Sequence, residues 1–338
     1  MRTTSQFLII NATEIGVMPN SQIRKTFLAQ PNRLIMKNKT LTGNPNFSII
    51  LPGNCQASCS FCCWKFQTTP RRYVDHLRRT LNKLPPEFKR VTLTGGEPTL
   101  SGYLGVTVDV LRDSRDWDAI VLSSNGAKLG DYTDLDIDHV NLSRHHYDPK
   151  KISRIFNTSE IPSDNDVIDI IDKFNRAGID VTLVALLCDQ FAIGQIIEYI
   201  KYARMLGASA VTFRTNCHDN SIKAPKEMKW VSNYNTNDRW SCEACRIWTQ
   251  IIGGMRVQWK AAKAEPSRIH GIPYELILQQ NCKLTTDWAG KDEWKSCECK
   301  QKDKHAVPKT TEHRAAEHTI INTHSPADYR CGCAPRCG

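Results

Sequence analysis

An α/β fold, in which six parallel strands curl into an incomplete barrel ahead of a small cysteine-rich C-terminal module, is predicted from three observations. Short β-branched runs alternate with amphipathic stretches from residue 47 onward. The runs are almost continuously apolar, as strands covered by helices must be. Beyond Cys217 the alternation breaks, and tryptophans and cysteines appear in a polar background.

The six strands are Phe47–Leu51, Val91–Leu93, Ala119–Leu122, Val140–Leu142, Val181–Leu187 and Ala210–Arg214. Tyr73–Leu84 and Tyr103–Leu111 repeat apolar residues at helical spacing. Asp164–Phe174 follows Ser163 as N-cap, and Ile193–Leu206 ends at Gly207 as C-cap. The third connection, Gly126 to Asp136, is short and polar, and the fourth, Ser143 to Pro162, is long enough for an active-site loop. This divides the chain into a flanking or capping segment (1–46), the barrel (47–217) and the cysteine-rich module with its tail (218–338).

Composition narrows the function classes. Hydrophobic residues make up 40% of the 338 and charged residues 24%, which is ordinary for a globular protein and argues against disorder. The 14 cysteines would suggest disulfides in a small secreted protein, but Met1 to Gly16 lacks the features of a secretory signal. Reduced thiols, a cytoplasmic location and no membrane partner are therefore expected. The net charge of +10 is concentrated at the front, where residues 1–90 hold 14 Lys/Arg against 3 Asp/Glu. Such a patch, with Arg71, Arg72, Arg78 and Arg79 in and beside one predicted helix, suits phosphate, nucleic acid or an acidic peptide, or is simply a solvated face.

The chemistry centres on Cys55-Gln-Ala-Ser-Cys59-Ser-Phe-Cys62, in the loop after the first strand. Three thiolates hold three irons of a cubane and leave the fourth short of a protein ligand. A zinc knuckle is the competing reading, although zinc generally takes a fourth ligand. The second strand ends in Gly95-Gly96-Glu97-Pro98, where two glycines permit close approach to the backbone and Glu97 can accept from an ammonium group.

In that order, the two motifs resemble those of the radical S-adenosylmethionine (radical SAM) superfamily over roughly residues 47–217, and Phe61 before the third cysteine strengthens the likeness. The resemblance implies a partial (β/α)6 TIM-like barrel and an enzyme with a [4Fe–4S] cluster on Cys55, Cys59 and Cys62. Gly95, Gly96, Glu97 and Pro98 would hold S-adenosylmethionine at the strands' carboxyl ends. Reductive cleavage of that cofactor gives a 5′-deoxyadenosyl radical. The radical then abstracts hydrogen from a polar substrate, whether sugar, nucleotide-like molecule or peptide. The one-electron reductant would be a flavodoxin or ferredoxin.

Further contacts follow from the same likeness. Ser123, Ser124 and Asn125 end the third strand as ribose contacts or as a simple turn, and Ser143 ends the fourth. Arg144 offers a bidentate fork to the cofactor carboxylate. His145 and His146 are substrate contacts or exposed loop residues. Cys188 and Cys217, at the ends of the fifth and sixth strands, are hydrogen-atom donors or small buried hydrophobes. Downstream, Cys242, Cys245, Cys297 and Cys299, with Cys282 in reserve, suit an auxiliary iron–sulfur cluster or a structural zinc. The alternative to an enzyme is a zinc-dependent nucleic-acid-binding protein, which explains the charge and the downstream cysteines but gives Gly95–Pro98 no role.

Overall fold

The computed structural model describes residues 45–62, 64, 67–187, 195–215, 240–242, 247–260, 268–269 and 272–294. Strands β1 (Asn46–Ile50), β2 (Arg90–Thr94), β3 (Ala119–Ser124), β4 (His139–Ser143), β5 (Asp180–Leu187) and β6 (Ala210–Thr215) lie side by side in chain order and are parallel. Between them run helices α1 (Tyr73–Lys83), α2 (Leu104–Ser114), α3 (Pro149–Phe156), α4 (Asp164–Arg176) and α5 (Gln195–Met205). The third connection holds a 3-10 turn, Leu129–Asp131, in place of a helix.

Strand alternation sorts the two faces. Val91, Leu93, Val140, Leu142, Val211 and Phe213 are fully buried, while the residues between them are largely polar. Against the apolar face lie Leu77 and Leu81 of α1, Val167, Ile171 and Phe174 of α4, and Tyr199 and Ala203 of α5. The α4 start is set by a capping box in which Ser163 and Asp166 satisfy each other's backbone N–H. The opposite face curls: Arg256 bears electrostatically on Arg90 and His139, although four strands separate β2 from the strand that carries Arg256. Only a curved sheet brings such residues into range of one another. This is an α/β fold with a mostly parallel, unclosed sheet, a partial TIM-like barrel.

The fourth connection departs from the expected open loop. Residues 149–156 form α3, with Asp148 as N-cap accepting from the Lys150 N–H and Pro149 at the first helical position. Asn157, with φ of 50°, closes the helix in the left-handed region.

Segments after residue 217 join the same sheet. β9 (Met255–Lys260) pairs parallel with β6, and β8 (Ile247–Ile252) and β7 (Trp240–Cys242) extend that edge antiparallel. At the other edge β12 (Glu275–Leu278) pairs parallel with β1, and β13 (Leu284–Thr285) follows antiparallel. β10 (Arg268–Ile269) and β11 (Ile272–Pro273) form a separate small ribbon. Among the described residues no helix is long and apolar enough to cross a membrane.

Candidate active site

The three-cysteine loop leaves β1 at Leu51, whose N–H still donates to Thr94 O at the end of β2 (2.7 Å). Beyond it the chain is tied down from three sides. The Glu97 N–H donates to Asn54 O (3.0 Å), and the Ser58 N–H donates to Phe156 O at the end of α3 (2.9 Å). Gln56 exchanges hydrogen bonds with the Asn125 side chain: Nε2 donates to Asn125 Oδ1 (2.9 Å), and Asn125 Nδ2 donates to Gln56 Oε1 (3.3 Å).

Cys55 and Cys59 are half-buried and Cys62 is exposed. Cys55 Sγ accepts from the Ala57 N–H (3.4 Å) and from Asn125 Nδ2 (3.7 Å). Burial, then the neighbouring sulfurs of Cys62 and Cys55, pushes the Cys59 thiol up to about 12. Three crowded thiolates repel one another, and a cationic metal assembly reverses that balance. The donor set is all thiol within one loop, and N–H groups already point at Cys55 sulfur. By donor chemistry the set suits an iron–sulfur cluster, although among the described residues no three His, Cys, Asp or Glu side chains stand grouped as a metal site.

Gly96 explains how the second motif meets the first. A Cβ there would lie 2.7 Å from Asn54 O and 3.1 Å from Cys55 Cβ, so the glycine admits the cysteine loop's own backbone. Glu97 is 2% exposed and bridges two strand ends. Its Oε1 accepts from Ser124 Oγ (2.6 Å), Thr99 Oγ1 (2.7 Å) and the Thr99 N–H (3.0 Å), and its Oε2 accepts from the Asn125 N–H (2.7 Å). Burial raises its carboxyl above the ordinary range, opposed by those four donors. Room for a cofactor ammonium remains on Oε2. Pro98 is buried and opens a short 3-10 turn.

At the end of β3, Ser124 thus serves Glu97, and Ser123 Oγ accepts from Asn141 Nδ2 (3.3 Å). Ser143 ends β4, half-buried, opposite Val184. Arg144, 1% exposed, gives its guanidinium to Asp164, Pro162 O (2.8 Å) and Tyr202 Oη (3.1 Å), while Tyr199 Oη donates to its carbonyl. It ties β4 to α4 and α5.

The two histidines are buried rather than exposed. His145 stacks on Phe156 (4.9 Å between centroids) and meets Phe61 edge-on (5.1 Å), and its Nδ1 accepts from the Leu186 N–H (3.2 Å). Burial, then Arg214 and Arg144, brings its pKa down to about 3, so the ring is neutral. His146 Nδ1 accepts from the Asp148 N–H (2.9 Å) at the start of α3.

Cys55, Glu97, Ser124 and Asn125 are therefore joined in one hydrogen-bonded unit at the carboxyl ends of β1–β3, with Gly96 packed against the cysteine loop and His145 against Phe61 beside it. Cys188, Cys217, Cys245, Cys297 and Cys299 lie outside the described residues, and Cys242 ends β7. Cys282 sits in the turn after β12, where burial raises its thiol to about 11. Sequence reading passed over Gln56, Phe156 and Gln280. Gln56 lies within the cysteine motif, whereas the other two reach the loop only through the fold.

Comparison with known proteins finds a likeness over the residues that build this unit. Residues 49–203 match the model of the Radical SAM superfamily. GTP 3′,8-cyclase of Nautilia profundicola is 23% identical over 171 residues, covering 48% of this chain and 53% of that protein. The enzyme of the same name from Brucella canis is 25% identical over 174 residues, covering 48% and 49%. The chain thus aligns with about half the length of these curated relatives. Among solved structures, Streptococcus suis SuiB bound to precursor peptide SuiA superposes with a TM-score of 0.53 at 13% identity, covering 81% of this chain and 66% of that one. SuiB bound to S-adenosylmethionine gives 0.52 at 13%, covering 79% and 64%. These two likenesses concern the fold alone. The match to the Radical SAM superfamily thus falls on the same stretch, residues 49–203, that holds the three cysteines and Gly95 to Pro98.

Proposed function

We propose that this enzyme cleaves S-adenosylmethionine reductively at a [4Fe–4S] cluster on Cys55, Cys59 and Cys62, and acts on an anionic, nucleotide-like substrate held in the barrel. The observation that carries the reading is the single hydrogen-bonded unit linking Cys55, Glu97 and Asn125, with Gly96 packed closely against Asn54 and Cys55. When bound, the cluster and its cofactor supply one electron and a 5′-deoxyadenosyl radical able to abstract hydrogen.

The chain's own residues bind, orient and shield. Glu97 fixes the end of β2 against β3 and offers Oε2 to the cofactor's ammonium group. Pro98 fixes the turn behind it, and Ser123 and Ser143 line the strand ends nearest the ribose. Neutral His145, held between Phe61 and Phe156, keeps the loop's underside dry and uncharged. His146 and Arg144 set the path of the chain above β4. Cys188 and Cys217, which follow β5 and β6 in the sequence, are the proposed hydrogen-atom donors.

Support for an anionic substrate comes from Arg214, near the carboxyl end of β6, and from the relatives named GTP 3′,8-cyclase. A peptide is the competing substrate, as in the SuiB complex. The downstream cysteines are a further proposal, for an auxiliary iron–sulfur cluster or a structural zinc, and metal analysis tells the two apart. A cytoplasmic flavodoxin or ferredoxin supplies the electron.

The test is anaerobic incubation with reductant, S-adenosylmethionine and either deuterated GTP or peptide, with mass analysis of the 5′-deoxyadenosine formed. Deuterium from GTP supports the reading and deuterium from peptide overturns its substrate. Cleavage that survives replacing Cys55, Cys59 and Cys62 together by Ala overturns the whole.

A further inference from the structure

Gln280 lies beyond the matched domain, is 1% exposed, and touches the cysteine loop at both ends. Its Nε2 donates to Leu51 O (2.8 Å) and Gly53 O (3.1 Å), just ahead of Cys55. Its Oε1 accepts from the Gln67 N–H (3.0 Å), just after Cys62. The sheet register explains the placement. β12 runs parallel to β1 with Leu278 opposite Ile49, so two residues further on Gln280 falls beside Leu51, where the β1 ladder has ended. Buried carbonyls past the end of a ladder need a donor, and a primary amide serves two of them while accepting a third bond.

We infer that Gln280 is a positioning residue for the cluster loop, clamping its entry and exit so that Cys55, Cys59 and Cys62 are presented together. The C-terminal segment thereby completes a site whose ligands lie more than 200 residues earlier in the chain. The inference rests on the proposal that these three cysteines hold the cluster. Neighbouring Gln279 is the matched comparison. It is 2% exposed and its Nε2 is used within the same turn, on Thr285 Oγ1 (2.9 Å) and Asp287 O (3.3 Å), while its Oε1, which Gln279→Glu keeps, accepts a long bond from Gln67 Nε2 (3.5 Å) and, among the described residues, reaches no backbone group of the loop.

The experiment follows anaerobic loss of iron to a chelator in reconstituted full-length protein, by the visible absorbance of the cluster. Gln280→Glu keeps the side-chain volume but sets a carboxylate against two carbonyls. It is expected to lose iron about tenfold faster than wild type, whereas Gln279→Glu loses it at close to the wild-type rate. Amide hydrogen exchange in the iron-free protein gives a second readout. The Gln67 amide should stay protected in Gln280→Glu, which retains the acceptor, and exchange about tenfold faster in Gln280→Leu, which does not. Equal iron retention in wild type and Gln280→Glu, or equally fast loss in Gln279→Glu, overturns the inference. A cluster retained by the C55A/C59A/C62A variant, with Gln280 intact, overturns the site reading itself, which separates the two failures.

Discussion

Asn125 joins the end of β3 to the cysteine loop. Its amide donates to Cys55 Sγ at 3.7 Å and pairs with Gln56. N–H donors to a ligating sulfur stabilise the electron-rich, reduced state of a cluster. Asn125→Ala is therefore expected to make the cluster potential more negative, read by a redox titration followed by electron paramagnetic resonance. An unchanged potential would remove Asn125 from the cluster's surroundings. Glu97 gives a second prediction at this scale. Four donors converge on its two oxygens, and Glu97→Gln replaces one acceptor by an NH2 group, leaving a buried donor unpaired. Stability should fall by about 1–3 kcal/mol in urea titration, with S-adenosylmethionine affinity falling alongside. The sequence made Glu97 visible as a carboxylate after two glycines, but not its partners. Ser124 and Asn125 lie 27 and 28 residues away and meet it only once β2 and β3 pair.

Elements were legible where they were long and periodic. All six barrel strands and four of the helices stand within a few residues of their sequence positions, since an apolar run or stripe must face the core wherever it is placed. Helix α3 was not, because eight residues are too few to establish a period, although Asp148-Pro149 carried a helix-start signature. Its consequence is functional: its last residue, Phe156, stacks on His145 and accepts the Ser58 N–H. Removing the cap with Asp148→Ala is expected to cost about 1 kcal/mol by thermal unfolding, with faster exchange at the Ser58 amide. The contact between the cysteine loop and the end of β2 is less forgiving. Gly96→Ala sets a Cβ 2.7 Å from a carbonyl oxygen that belongs to backbone and cannot turn aside. Iron content after reconstitution should drop to a small fraction of wild type, and normal iron content would show that the loop does not depend on this approach.

At the scale of the molecule, residues past 217 complete the sheet on both edges. Their strands were hard to read because several are only two to four residues long, too short for alternation to register. The β8–β9 hairpin did carry a signal, Gly253-Gly254 with φ of 54° and 86° between two apolar runs. The curl of the sheet has a consequence that no single strand shows. His139, at the start of β4, is held to a pKa of about 3 by burial first and then by Arg90 and Arg256 from across the sheet, against a hydrogen bond with Asn141 that opposes the shift. His145 is lowered to the same value at the strand's other end. Both rings are neutral in the folded protein, whereas an unfolded chain protonates them near the ordinary 6.5. Below that value the unfolded state binds more protons, so stability is full above about pH 6.5 and declines as pH falls toward the folded value. Each histidine contributes a slope of at most about 1.4 kcal/mol per pH unit in that window. Urea titrations from about pH 7.5 to about pH 4.5 should show this decline. It should be shallower by about one proton in His139→Gln, whose amide keeps polar contact without titrating, and an identical slope in that variant would mean the curled face does not hold His139 neutral.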